Sequence, residues 1–339
     1  MTKTAAFLAL LAVGLAPAWS QERPAAKLKV AVSILPQAYF VERIGGELVT
    51  AEVLVGPGLS PHTYEPTPKQ LTEVSAARVY FSIGVDFETA LLPRLQAMFP
   101  TLKIVDTRVG VPLRKFSDTE AEAELHEHEH GGHAGDVVAG RPDPHIWLNP
   151  QFVKIQAQTI CDALVELDAA HAETYRRNLA AFHADLDRAH AQLAEALAPL
   201  KGREVFVYHP AFGYFTDAYG LRQVPVEIEG KEPTARQLKE LIERAKADRV
   251  KVIFVQPQFA RKSAETIADA IGGVVVPLDD LSRDYLKNLA DIAEKIKTGL
   301  NSPLKKGTGS APDPRAGSAN DVPRGACTLF QRTVKQSGE

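Results

Sequence analysis

The sequence predicts an α/β protein of two lobes, each a mostly parallel sheet flanked by helices, joined by one long rigid helix. Three observations predict it. Short apolar runs alternate with amphipathic helical stretches in the N-terminal part of the chain, and the same alternation restarts beyond Gly202. Such alternation is what βα units and parallel sheets produce. Between the two lies a helical pattern from about Ala170 to Leu197 with hardly a break. At 1.5 Å per residue it would span about 42 Å, longer than one small lobe needs. With 339 residues, 45% of them apolar, the chain can build the core that two such lobes require.

Taken in order, Lys29 to Leu35 is a short apolar run that stops at Pro36 and reads as a buried strand. A helix follows over Gln37 to Ile44 and ends at Gly45-Gly46, with a second strand over Leu48 to Val55. Val79 to Ile83 and Leu102 to Val105 add two more strands around a helix from Phe87 to Met98. Residues 107–144 then lose all apolar periodicity and become rich in charge, His and Gly. So long a loop within a domain is functional or disordered. After Asn149-Pro150 a helix runs to about Leu167, and the long helix follows. Its stripe is Leu179, Phe182, Leu186, Ala189, Leu193 and Leu197, at spacings of three and four, and Pro199 and Gly202 end it. The second lobe takes strands over Glu204 to Tyr208, Gln223 to Ile228, Val250 to Val255 and Gly273 to Pro277. Its helices fit Phe212 to Tyr219, Thr234 to Ala247, Ser263 to Ile271 and Asp284 to about Leu300. These boundaries divide the chain into an N-terminal lobe over 27–168, a linking helix over 169–199 and a C-terminal lobe over 201–300. Residues 301–339 are rich in Pro, Gly, Ser and Lys and are expected to be a disordered tail.

Residues 1–20 have the pattern of a signal peptide: Lys3, an apolar run from Ala5 to Leu15, then small residues up to Ser20. The run is too short to span a bilayer. Export is therefore expected, with a soluble mature chain and, in the absence of a Cys at the cut, no lipid anchor. The net charge of −3 and the lack of a basic stripe interleaved with aromatics disfavour a nucleic-acid partner. Cys161 and Cys327 form no disulfide framework, and their spacing leaves open whether they pair.

Three of the ten histidines stand beside prolines near the ends of elements: Pro61-His62, Pro144-His145 and His209-Pro210. Proline stiffens each loop and keeps it out of a regular helix. Ligands of open α/β sheets collect beyond the carboxyl ends of strands. The carboxylate pair Asp279-Asp280 follows the last strand in the same way. Three imidazoles and a carboxylate suit a borderline divalent metal such as zinc.

The words around these residues carry a resemblance. Ser60-Pro61-His62-Thr63-Tyr64-Glu65-Pro66 resembles the first-ligand motif of the zinc/manganese-type substrate-binding proteins of ABC transporters. Asp143-Pro144-His145-Ile146-Trp147-Leu148-Asn149-Pro150 resembles the second, and Tyr208-His209-Pro210-Ala211-Phe212-Gly213-Tyr214-Phe215 the third. Pro277-Leu278-Asp279-Asp280-Leu281 is similar to the fourth, though it reads Asp-Asp where the family usually has Asp-Pro. The resemblance covers roughly residues 27 to 300. It implies two lobes with Zn2+ held in the cleft between them by His62, His145, His209 and Asp279, Asp280 competing for the fourth place. It further implies a monomeric periplasmic protein, not an enzyme, that delivers zinc to an inner-membrane ABC permease. Manganese-type members tend to carry Glu at the position of His209, so the His favours zinc.

His126, His128, His130 and His133 lie within eight residues in a loop at about 115–141, and such tracts bind metal as flexible clusters. They are read as a secondary metal site. His126, Glu127 and His130 also match H-E-x-x-H, but Gly131-Gly132 follows and no apolar helix face surrounds them, so the protease reading fails. A secreted zinc hydrolase with Glu65 as general base, a manganese or mixed-metal binding protein and an adhesin-like surface protein are the competing readings.

Overall fold

The computed structural model describes residues 27–116, 142–226, 235–259 and 261–301. The expected signal peptide, the loop histidines His126, His128, His130 and His133, and the tail with Cys327 lie outside the described residues. All the described residues belong to one compact unit that ends at Pro303.

The chain opens with strand β1 (Leu28–Ile34), helix α1 (Leu35–Gly45), strand β2 (Val49–Val55), helix α2 (Pro68–Ser75), strand β3 (Val79–Ser82), helix α3 (Asp86–Met98) and strand β4 (Lys103–Asp106). These four strands form one sheet in the order β2-β1-β3-β4, every neighbour parallel. Helices α4 (Pro150–Leu167) and α5 (Ala172–Leu197) lead to the second set. That set comprises β5 (Glu204–Val207), α6 (Gly213–Ala218), β6 (Arg222–Pro225), α7 (Ala235–Ala247), β7 (Val252–Val255), α8 (Lys262–Ile271), β8 (Val274–Pro277) and α9 (Tyr285–Asn301). Its sheet repeats the first, in the order β6-β5-β7-β8 and all parallel. The predicted α/β class with two parallel sheets is therefore observed, within one or two residues at most element ends.

Each sheet reverses direction beside its first strand, β1 in one and β5 in the other. A crevice forms beyond the carboxyl ends of strands at such a switch point. Helix α2 had no place in the sequence reading. Its start is nonetheless well signalled: Thr67 caps Gln70, the Gln70 side chain returns to the Thr67 backbone, and Pro68 fills a first-turn position.

The long helix α5 has 26 residues. It buries Tyr175, Leu179, Phe182, Leu186, Ala189, Leu193 and Leu197, the predicted stripe plus one tyrosine. That stripe packs on α4, α9 and α1. Phe182 is fully buried and meets Phe40 and Tyr39 with ring centroids at 6.0 Å. Burial of such a side chain stabilises the fold by about 1.5–3 kcal/mol.

The main core is continuous from the first sheet, through these helices, into the second sheet. Val205 and Val207 of β5 join it, while Phe206 and Tyr208 turn to a separate cluster under α7 and α8. That split follows the two-residue period of a strand. A shared core of this kind limits relative movement of the two halves to small displacements.

Candidate metal centre

Each histidine is delivered by a loop beyond a sheet. His62 lies on the segment between β2 and α2, and His209 comes two residues after β5. His145 precedes the short turn Ile146–Leu148 that leads into α4. All three are buried, at 9%, 1% and 3% exposure. Their rings converge: His62 Nε2 is 2.9 Å from His209 Nε2, which is 3.4 Å from His145 Nε2. One nitrogen from each falls within 4.8 Å of the others, the group of potential metal ligands found among the described residues. Two ligands about 2.05 Å from a tetrahedral zinc lie about 3.3 Å apart, so these separations fit one small cation.

The opposite edges of two rings are braced by carboxylates. His62 Nδ1 donates to Asp86 Oδ2 at 2.6 Å, and His145 Nδ1 donates to Asp143 Oδ1 at 2.7 Å. A proton held on Nδ1 leaves Nε2 as a lone pair aimed inward, and the carboxylate makes that lone pair more basic. Asp143 Oδ1 also accepts the His145 backbone N–H at 2.9 Å, which fixes the turn. His209 is held through its backbone. Its N–H donates to Gln256 Oε1 at 3.3 Å, and its carbonyl accepts from Gln256 Nε2 at 2.8 Å. Phe259 stacks on its ring at 4.9 Å between centroids. Burial, and then the neighbouring His62 and His145 charges, hold the His209 imidazole well below 6.5, so it is neutral at neutral pH.

The two acids after β8 face different ways. Asp279 Oδ1 accepts the Leu281 N–H at 2.9 Å, its carbonyl accepts from Asn288 at 2.8 Å, and its charged neighbours include Lys295 and Asp291 of α9. Asp280 is 5% exposed, its Oδ1 has no hydrogen-bond partner, and its charged neighbours include His145 and His62. Burial raises its carboxyl to about 6. The expected carboxylate is Asp279, with Asp280 competing for its place; the His145 and His62 charges act on Asp280, and among the described residues the group of potential ligands holds the three histidines. In the turn after β8 the Asp279 side chain hooks the backbone two residues on.

Sequence reasoning missed Asp86, Gln256 and Phe259 altogether, and it quoted Asp143 without giving it a role. An Asp two residues before a His was a signal for Asp143. Asp86 is 24 residues from His62 and had none.

Two parallel switch-point sheets around a buried three-histidine cluster define a metal-binding protein of the two-lobed substrate-binding class. The family model for the zinc-uptake complex component A, periplasmic (ZnuA), matches residues 30–299, and the chain belongs to that family. A crystal structure of ZnuA is 41% identical over 81% of this chain and 99% of that chain, with a TM-score of 0.72. The high-affinity zinc uptake system protein ZnuA of Bacillus subtilis is 29% identical over 76% of this chain and 81% of its own length. The zinc-binding lipoprotein AdcA of Streptococcus pneumoniae is 27% identical over 87% of this chain, which spans about 60% of that relative's length.

Proposed function

We propose that the chain captures zinc in the periplasm and hands it to an ABC permease for import, as a binding protein and not an enzyme. His62, His145 and His209 are its neutral ligands and Asp280 is its anionic one. The observation that carries this reading is the convergence of three Nε2 atoms, two of them braced from behind by Asp86 and Asp143. At 2.9 Å the His62 and His209 Nε2 atoms can share one proton, whereas a dication can engage all three rings at once. Zinc supplies the positive charge that a buried, ionised Asp280 requires. Three imidazoles favour zinc over manganese, which prefers oxygen ligands.

The hydrolase reading required Glu65 as general base, but Glu65 is exposed. Among the described residues no helix is long and apolar enough to cross a membrane.

Growth of a bacterium deleted for its own zinc-uptake binding component tests the proposal. The full chain should restore growth in chelator-limited medium, and zinc should relieve the defect without it. The His145→Ala variant, exported at equal level, should not restore growth. Equal growth with His145→Ala would contradict the assignment.

A further inference from the structure

A chain of contacts leads from the His145 ring to the second sheet's side of the site, and Arg114 is its middle. Arg114 lies beyond β4, and its side chain is 20% exposed. Its Nη1 donates to Asp143 Oδ2 at 2.7 Å, on the same carboxylate whose Oδ1 holds His145 Nδ1. The Asp143 side chain is fully buried. In the other direction, Arg114 Nε lies 3.0 Å from Asp217 Oδ2 on α6, the helix that begins four residues after His209.

The backbone follows the same course. The Arg114 N–H donates to the Tyr214 hydroxyl at 3.0 Å, and that hydroxyl donates to the Asp143 carbonyl at 3.0 Å. The Asp143 N–H returns to the Arg114 carbonyl at 3.0 Å. Glycine at 213 makes the approach possible. A Cβ there would sit 1.7 Å from Arg114 Nη1 and 2.9 Å from Asp143 Oδ2. Gly213 is helical rather than left-handed, so close approach, and not backbone freedom, is what the position requires.

We propose that Arg114 is an interlobe clasp and a positioning residue for zinc: it grips Asp143 and Asp217 together, keeps His145 aimed, and so sets the rate at which zinc leaves. The inference rests on the reading that the three histidines hold zinc. Widening between the two sides of the site must part Arg114 from Asp143 or from Asp217, its carboxylate contacts among the described residues. The Asp143 contact is a buried charge-assisted bond, and the Asp217 contact reaches a side chain that is 61% exposed. Charge-assisted bonds of the buried kind are the stronger. The clasp therefore yields first at Asp217, and His145 keeps its brace until the lobes have begun to part.

The test is zinc release from the full chain loaded with one equivalent of zinc, followed in a stopped-flow instrument with a chelating dye. Arg114→Gln should speed release by about tenfold, the low end of the range for loss of a ligand's outer-shell partner, because Arg114 acts on His145 through Asp143. The association rate should change little, while the metal-free melting temperature should fall, because Asp143 keeps a buried carboxylate without its cation. Gly213→Ala keeps the arginine but displaces it, and should speed release likewise. Asp217→Asn should speed release about twofold to threefold in the native background, as befits an exposed pair, and not at all in Arg114→Gln. Release unchanged in both Arg114→Gln and Gly213→Ala, or an Asp217→Asn effect that persists without Arg114, overturns the clasp. His145→Ala separates that failure from failure of the underlying reading. If tight zinc survives His145→Ala, the site itself is misplaced; if it is lost while Arg114→Gln releases like the native chain, only the clasp falls.

Discussion

Replacement of Asp280 by Asn should make the metal-free protein more stable and the zinc complex weaker. Asp280 is buried, and burial raises its carboxyl from 3.8 to about 6 against the pull of the His145 and His62 charges. Below pH 3.8 the acid is protonated in both folded and unfolded chains and contributes nothing. Between 3.8 and about 6 the fold keeps a proton that the unfolded chain has lost. Above that the fold carries a buried anion, and the full cost is present. Each pH unit of separation is worth about 1.4 kcal/mol, which limits the cost to about 3 kcal/mol. For a protein of this size about 1 kcal/mol moves the melting temperature by roughly 2–4 °C. Calorimetric melting of the metal-free Asp280→Asn variant should therefore lie about 2–8 °C above the native chain at pH 8. The gap should narrow as the pH is lowered toward 4. Zinc affinity should fall by about tenfold or more, since even outer-shell losses reach that size. Asp279→Asn, whose Oδ1 only hooks the Leu281 N–H, should change zinc binding little. A lower melting temperature for Asp280→Asn at pH 8 would refute this reasoning. So would zinc binding that survives Asp280→Asn and fails in Asp279→Asn.

Three further outcomes are expected. His209 is held well below 6.5 by burial and by its two histidine neighbours, so below pH 6.5 the unfolded chain takes up a proton that the fold refuses. Metal-free stability from this residue is thus lost as the pH falls through 6.5, and denaturant midpoints of His209→Gln should fall less than those of the native chain between pH 7.5 and 5.5. Glu88, lifted to about 7 by burial, accepts the Ile83 and Gly84 N–H groups and the Ser33 hydroxyl. Glu88→Ala strands those donors and should cost about 2–4 kcal/mol in urea unfolding, against near-zero cost if water replaces the carboxylate. Phe182→Ala opens a cavity where α5 meets α1 and should cost about 3–5 kcal/mol by the same measure.

What the residues revealed beforehand follows from how local each signal is. The stripe of α5 was legible because Leu179, Phe182, Leu186 and Leu193 repeat at helical spacing and bury that one face. Strand runs such as Val252–Val255 were legible because a parallel sheet covered on both faces needs continuous apolar residues. His62, His145 and His209 were legible through the prolines beside them and the motifs around them. The partners of those histidines were not. Asp86 reaches His62 across 24 residues, and Tyr214 reaches Arg114 across 100, so only the folded chain brings them together. The proposed preference for Asp280 over Asp279 rests on one loop hydrogen bond that no motif encodes.

The central claim is that one zinc is held by His62, His145 and His209. It is tested most directly by calorimetric titration of the metal-stripped chain with zinc, beside His209→Ala and a variant lacking residues 126–133. The account predicts one tight site that persists in the deletion and is lost in His209→Ala. A tight site that survives His209→Ala and vanishes with residues 126–133 would contradict it.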